Sequence, residues 1–215
     1  MKMKPDKKKP MEQRGYQFEV RAEKTDKGDV ITGRPIVYDS KTDMGYFEEI
    51  IEKGALEDTD LTDVRFLVNH DMSKIPLARS RRNNGNSTMK LTTDKDGLVI
   101  EVQLDTENNT EARSLYSAVK RGDISGMSFM FVIDSEEWED LDSDHPLRRI
   151  KKIKAVYEVS AVTFPAYSST EINARSRETL ESVRRAVETA RSSVKRSVET
   201  DLELAKAKLE LESKI

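Results

Sequence analysis

Residues 155–167 read AVYEVSAVTFPAY, and this stretch says more about the fold than any other part of the chain. Its β-branched and aromatic residues are typical of a buried strand, and Pro165 ends that strand because proline cannot donate a ladder hydrogen bond. Glu158 is unusual within it, since a carboxylate is rarely buried without a partner. The residue therefore either faces solvent on an edge strand or pairs with a cation, a histidine or water inside the protein.

Strand-like runs continue upstream of this stretch and are separated by turn signals. They cover residues 16–22, 30–38, 64–70, 89–93, 98–104 and 125–133. The sequence DKDG at 94–97 predicts a hairpin between two of them. One helix interrupts the series, with Thr110 as its predicted cap, an apolar stripe of Ala112, Leu115, Tyr116 and Val119, and an end at Gly122. Many strands with so few helices predict a β-rich α+β domain, an antiparallel β-barrel or sandwich decorated by helices.

The two ends of the chain differ from this middle region. Residues 1–14 are rich in Lys and Pro, and we expect a disordered basic tail there. Residues 174–215 contain no Pro, Gly or aromatic residue, and their apolar positions recur at helical spacing from Leu180 to Leu209. This pattern predicts a long C-terminal helix whose apolar seam either folds back on its own domain or forms a coiled coil with another helix. The chain thus divides into a tail at 1–14, a domain at 15–173 and a helical segment at 174–215.

The composition excludes several classes of chemistry. The chain of 215 residues has no cysteine, which rules out disulfides, thiolate catalysis and cysteine-ligated zinc. Its two histidines have no metal-ligand spacing, so we predict neither a metal nor a cofactor. No apolar run approaches the roughly 20 residues that a membrane span requires. The net charge is −3, and the basic residues at the start of the chain are too few and too local to favour a nucleic-acid-binding protein.

His70 is the histidine that is better placed for chemistry. Alternation along residues 64–70 predicts that its imidazole lies at a strand end, on the same face as Val64, Phe66 and Val68. Such a position can supply the fixed tautomer that a general base needs. The simpler interpretation is a partly buried histidine with a structural role. His145 lies in an acidic, turn-rich stretch and is expected in a surface loop.

Ser128 is the corresponding candidate nucleophile. It shares a strand face with Gly126 and Met130, and Gly126 leaves room for a substrate backbone. An unpaired buried hydroxyl costs about 1–3 kcal/mol, so this serine needs a partner, and a cross-strand bond to the backbone would suffice. Ser128, His70 and Glu158 together have the composition of an acyl-transfer triad. The residues alone leave the structural alternative open.

Seven segments of the chain, taken together, resemble the prohead proteases, or capsid maturation proteases, of tailed phages. They are ITG at 31–33, VYD at 37–39, EIIEKGAL at 49–56, LVNHD at 67–71, DGL at 96–98, GMSF at 126–129 and EVSAVTFPAY at 158–167. Leu56 stands where the family has Phe, and Met130 stands where a Gly is common. The set follows the family's order over about two-thirds of the chain, which makes the resemblance specific although each segment alone is weak.

This resemblance implies a serine endopeptidase with an antiparallel β-barrel wrapped by helices, similar to the herpesvirus assemblins. It implies that His70 is the general base and Ser128 the nucleophile. Glu158 occupies the third position, where assemblins have a second histidine. We place the oxyanion donors at backbone N–H groups near Ala166 and Tyr167, where Pro165 breaks the strand.

The resemblance also implies a setting for the activity. The substrates would be the scaffold segment of the major capsid protein and the protease itself, inside the phage prohead in the bacterial host cytoplasm. The C-terminal helix would dock the enzyme on a helical scaffold segment, and assemblins suggest a homo-oligomer by analogy. The alternative is a non-enzymatic scaffold or assembly protein that keeps a degenerate protease domain, but the intact His70, Ser128 and Glu158 argue against it.

Overall fold

The computed structural model describes residues 10–16, 20–26, 28–163 and 174–212. The strands are β1 (Met11–Tyr16), β2 (Val20–Thr25), β3 (Gly28–Val37), β4 (Thr42–Asp43), β5 (Glu48–Ile51), β6 (Arg65–Val68), β7 (Ala78–Arg79), β8 (Met89–Asp94), β9 (Gly97–Leu104), β10 (Gly126–Glu139) and β11 (Leu147–Val162). The α-helices are α1 (Thr110–Arg121) and α2 (Ala174–Glu212), and a short 3-10 turn covers Arg81–Asn83.

The long hairpin of β10 and β11 is the centre of the larger sheet. The order of strands is β1-β10-β11-β5-β4, with β6 also paired to β11 and β7 paired to β6. Because β11 has 16 residues, one of its edges holds two short strands end to end. Strand β5 pairs with residues 147–150 and β6 pairs with residues 158–161, both in parallel.

A smaller antiparallel sheet, in the order β2-β3-β9-β8, supplies the other side of the core. One apolar cluster joins the two sheets and helix α1, and it includes Ile31, Ile100, Leu115, Phe129 and Val159. Removing this apolar surface from water is the main favourable contribution to folding. Helix α1 begins at Thr110, and its cap is Asn109 instead of the predicted Thr110, since the Asn109 side chain accepts hydrogen bonds from two backbone N–H groups. The helix ends at the left-handed Gly122, as predicted.

The predicted fold class is confirmed in its coarse form, and the predicted closed barrel is not. The chain is β-rich α+β with a long C-terminal helix, but its described strands form two separate sheets, and the larger is mixed. Strands β5 and β6 run parallel to β11, which an all-antiparallel barrel does not allow. The direction of a short strand depends on the path of the connections before it, and strand-like patterning carries no information on that path.

The hairpin predicted at residues 94–97 is present between β8 and β9. Gly97 has a φ of 141°, and a Cβ atom there would lie 2.0 Å from the carbonyl oxygen of Ile36. The position therefore requires glycine, both for its backbone conformation and because β3 approaches closely.

The N-terminal boundary lies earlier than predicted. Residues 11–14 belong to β1, which pairs with β10 along its whole length, and Arg14 is buried. The prediction of a disordered tail through residue 14 is therefore wrong for these positions. The polar composition of these residues does not predict a strand, because their charges are neutralised only by partners far along the chain. Residues 1–9 lie outside the described part.

Helix α2 contacts its own domain in its middle. Val187 is buried against Met44 and Phe47, and the Arg191 guanidinium donates to the carbonyl oxygens of Leu141 and Ser143. Farther along the helix, Val194 and Leu202 are exposed. The predicted helix is thus confirmed, with self-packing over one part of the seam, whereas a coiled coil stays a prediction. In the described ranges, neither helix is apolar over a length sufficient to cross a bilayer.

Candidate active site

Strands β10 and β11 place two of the predicted site residues on one face of the larger sheet. Ser128 lies directly opposite Ser160 in the β10–β11 register, and Glu158 lies two residues before Ser160. Side chains two apart along a strand share a face, so the three polar side chains lie together. The neighbouring residues Met127 and Phe129 point the other way and are wholly buried in the core.

His70 reaches the same face through a turn. Strand β6 ends at Val68, and Asn69 and His70 have φ values of 52° and 57°. These left-handed conformations break the strand alternation. The prediction that the imidazole shares a face with Phe66 is therefore wrong. Instead, its Nδ1 lies 2.6 Å from Oε2 of Glu158, which is 1% exposed.

The contact between His70 and Glu158 selects one form of the imidazole. An ionised carboxylate only accepts hydrogen bonds, so opposite an ionised Glu158 a neutral His70 ring carries its proton on Nδ1 and leaves the lone pair of Nε2 free. Nε2 is buried and has no hydrogen-bond partner among the residues that the structure describes. A histidine held in this way is suited to accept a proton at Nε2.

Ser128 is close to this pair along the sheet but does not form a hydrogen bond with it. Its side chain is buried, and the hydroxyl donates to the backbone carbonyl oxygen of Arg14 at 2.6 Å. The residue opposite Ser128 is Ser160, whose Oγ accepts a hydrogen bond from the His70 backbone N–H at 3.0 Å. The structure thus joins His70 directly to Glu158, and it places Ser128 one strand away with its hydroxyl directed to β1.

A buried ion-pair cluster holds the strand that contacts Ser128. Arg14 donates to both carboxylate oxygens of Glu49, at 2.5 and 2.7 Å. Glu12 accepts from Arg14 at 2.5 Å and, through both oxygens, from Arg148 at 2.8 Å. Arg148 also donates to Glu49 at 3.2 Å. The cluster therefore links β1 to β5 and β11, and its residues lie too far apart in sequence for any motif to indicate it.

The charges in this cluster shift the pKa values of two of its members, Glu12 and Arg148. Burial by itself raises the pKa of the Glu12 carboxyl, but the charge of Arg14 and the hydrogen bond from Arg148 outweigh burial and hold the pKa at about 2. Burial lowers the pKa of Arg148, but Glu12 and Glu49 outweigh this effect and raise it. Glu12 and Arg148 are therefore both ionised at neutral pH.

Acid should weaken the attachment of β1 through Glu12. Its pKa is lowered from an ordinary 4.5 to about 2 on folding, so its contribution is complete above pH 4.5 and is lost as the pH falls towards 2. We expect the free energy of unfolding in urea to fall by on the order of 3 kcal/mol more over this interval in the wild type than in Glu12→Gln. The exposed Glu101→Gln should retain the wild-type slope, and equal slopes for wild type and Glu12→Gln would contradict the expectation.

Two of the predicted site residues, Ala166 and Tyr167, lie outside the described residues. Asp71, which follows His70 in the sequence, is another carboxylate to consider for the third position, but the imidazole contacts Glu158, and the Asp71 carboxylate accepts from the backbone N–H and hydroxyl of Ser73. His145 is partly exposed, 3.3 Å from Asp43, which fits the predicted surface loop. Within the described ranges, no group of three His, Asp or Glu side chains is arranged to bind a metal ion.

Sequence reasoning did not single out Ser160 or Arg14 as parts of the site. Ser160 could have been found, since it lies two residues after Glu158 and must therefore share its face. Arg14 could not, because only the pairing of β1 with β10 brings its carbonyl group to Ser128.

A serine, a histidine and a carboxylate on one sheet face, with the histidine bound to the carboxylate, are the set used by serine hydrolases. The sequence model of the family of Caudovirus prohead serine proteases matches residues 16–185 of this chain. The chain therefore belongs to the Caudovirus prohead serine protease family, and it is a serine protease.

Among solved structures, the bacteriophage T4 capsid assembly protease is similar, with 12% sequence identity, a TM-score of 0.46, and coverage of 74% of this chain and 100% of that chain. The search of curated proteins found no match.

Proposed function

We propose that the protein is an endopeptidase that cleaves scaffold and capsid protein segments, and itself, by a Ser128–His70–Glu158 acyl-enzyme mechanism. The observation that supports this most directly is the 2.6 Å contact between His70 Nδ1 and Glu158, which leaves a buried Nε2 with a free lone pair among the described residues. Membership in the prohead serine protease family supports the setting, inside a phage prohead in the host cytoplasm.

The first step requires Ser128 to change its hydrogen bond. Its hydroxyl must leave the Arg14 carbonyl oxygen and donate to His70 Nε2, which requires rotation about the Ser128 Cα–Cβ bond. Substrate bound beside β10 would stabilise this second arrangement. The Ser128 oxygen then attacks the scissile carbonyl carbon while its proton passes to Nε2, and Glu158 stabilises the resulting imidazolium.

The second half of the reaction returns the enzyme to its starting state. Nε2–H gives its proton to the leaving amine as the peptide C–N bond breaks, and an ester to Ser128 remains. A water molecule loses a proton to Nε2 and attacks this ester. The proton on Nε2 then passes to the Ser128 oxygen as the ester bond breaks, and the carboxylic acid product leaves. Backbone N–H groups near Ala166 and Tyr167 remain our proposal for the donors that bind the oxyanion, a role commonly worth about 3–4 kcal/mol.

Co-expression with a candidate capsid protein that has a helical scaffold segment tests this function. New termini in the capsid protein and in the protease, identified by mass spectrometry, are expected with the wild type and not with His70→Ala. A folded wild-type chain that produces no new termini in either protein would favour the non-enzymatic assembly protein instead.

We further propose that the end of α2 docks the enzyme on a helical scaffold segment. The contacts of Val187 and Arg191 attach the middle of the helix to the domain, while Val194 and Leu202, farther along, expose about half of their surface. Apolar residues at this spacing, on a helix that is otherwise charged, are suited to pair with another helix. Self-association through the same residues would give the homo-oligomer that the resemblance suggests.

Removing residues 194–215 should therefore separate docking from catalysis. We expect peptide cleavage to stay within about twofold of wild type, because the attached part of α2 remains. Incorporation into proheads should fall about tenfold or more, which is equivalent to at least about 1.4 kcal/mol of docking free energy. Quantitative mass spectrometry of purified proheads measures incorporation.

The paired change Val194→Glu with Leu202→Glu should reproduce this loss. The matched control Thr189→Glu with Ser193→Glu adds the same charge at exposed polar positions and should not. Normal incorporation of the truncated chain would refute the docking role.

A further inference from the structure

Ser160 lies among the three proposed catalytic residues without being one of them. It is opposite Ser128 on the neighbouring strand, two residues beyond Glu158, and it has no exposed surface. A buried hydroxyl is retained at low energetic cost only when it has partners, and the identity of those partners indicates what it does.

Both hydrogen-bonding functions of the Ser160 hydroxyl are used within the site. The hydroxyl donates to Oε1 of Glu158, and its oxygen accepts from the backbone N–H of His70 at 3.0 Å. One hydroxyl thus links the carboxylate directly to the backbone that carries the imidazole.

The Ser160 hydroxyl fixes the position of the Glu158 carboxylate relative to the His70 imidazole. That relative position decides which ring nitrogen of His70 carries the proton. Glu158 uses Oε2 for His70 Nδ1 and Oε1 for Ser160, so rotation of the carboxylate would break one of two bonds. His70 has a left-handed backbone, with a φ of 57°, a conformation that needs support from its surroundings. The Ser160 oxygen supplies that support at the His70 N–H.

We infer that Ser160 is a positioning residue that holds Glu158 and His70 so that the imidazole keeps its proton on Nδ1 and presents Nε2. This inference rests on the proposed function. Ser160 acts through its two partners and makes no contact with substrate, so its loss should lower kcat and leave KM nearly unchanged. The alternative is that its two bonds serve only to satisfy buried polar groups.

Ser160→Ala distinguishes these roles when it is compared with Ser80→Ala. Ser80 is equally buried, and its Oγ accepts from the backbone N–H of Val64, outside the catalytic group. We expect Ser160→Ala to lower kcat about 10- to 100-fold with KM within about twofold, the size usual for residues that orient a reacting group. Ser80→Ala should lower the unfolding midpoint without this loss.

Nitrogen-15 NMR of the two histidines provides a readout that does not depend on activity. Neutral His70 should be a single Nδ1–H tautomer in the wild type and in Ser80→Ala, and a mixture of tautomers in Ser160→Ala. Ser160→Cys nearly conserves the volume with a much weaker donor, and it answers the same question if the alanine variant does not fold.

Two results have distinct meanings. Folded Ser160 variants with a single Nδ1–H tautomer and an unchanged kcat would overturn the positioning role while the proposed protease function stands. An inactive wild type whose His70 tautomer still depends on Ser160 would overturn the protease function and retain the positioning of the pair.

Discussion

Replacing Ser128 by alanine is expected to lower kcat/KM for peptide cleavage by about 10⁴- to 10⁶-fold, which is the range found when the nucleophile of a catalytic triad is removed. The fold should survive, because the only described hydrogen bond of this hydroxyl goes to the Arg14 carbonyl oxygen and its loss costs about 1 kcal/mol. A fluorophosphonate probe should add to the wild type at Ser128, as measured by intact mass and peptide mapping, and should not add to the variant.

The control for this experiment is Ser135→Ala, an exposed serine on the same strand. It should be labelled and should cleave peptides like the wild type. Retention of self-cleavage by Ser128→Ala would show that another residue is the nucleophile, and the assignment of His70 and Glu158 would then have to be abandoned with it.

Replacing Glu49 by alanine is expected to have the largest effect on stability. Glu49 is 1% exposed, and its carboxylate contacts Arg14 and Arg148, which are also buried. Its removal takes away the carboxylate that Arg14 contacts through both oxygens, while Arg148 keeps Glu12 and Glu136, and breaking a buried ion pair of this kind costs about 3–5 kcal/mol. We therefore expect the thermal midpoint to fall by roughly 10 °C or more, as calorimetry can measure.

Glu48→Ala is the matched control for this change, because it removes the adjacent glutamate of the same strand. Glu48 forms an exposed pair with Lys41, and such pairs contribute about 0–1 kcal/mol. Similar destabilisation by Glu48→Ala and Glu49→Ala would contradict the role assigned to the cluster. Because Arg14 also holds the carbonyl group that binds Ser128, any folded Glu49 variant should show altered labelling at Ser128.

The predicted and observed positions of the site agree where the inference is local. Strand alternation correctly grouped Ser128 with Gly126 and Met130, since residues two apart on one strand always share a face. Alternation failed at His70 because the strand ends at Val68 and the chain turns through two residues with positive φ. A turn of this kind depends on contacts such as the bond from the His70 N–H to Ser160, which residues 64–70 do not reveal.

The same distinction explains the ends of the chain. The long C-terminal helix was predictable from its composition and periodicity, which are properties of neighbouring residues. Strand β1 was not predictable, because its charged residues Glu12 and Arg14 can be buried only when the tertiary structure brings Arg148 and Glu49 to them.

The sequence by itself determined the inventory of the site and the class of the fold: one candidate nucleophile, one well-placed histidine and one carboxylate in an apolar strand, within a β-rich domain that ends in a helix. Only the tertiary structure decided which atoms meet. The register of β10 on β11 sets Ser128 opposite Ser160, the turn after β6 brings His70 to Glu158, and the ion-pair cluster holds β1 against the serine. The physical reason is that periodicity within a strand follows from backbone geometry, whereas these meetings are decided by interactions among residues 32 to 136 positions apart.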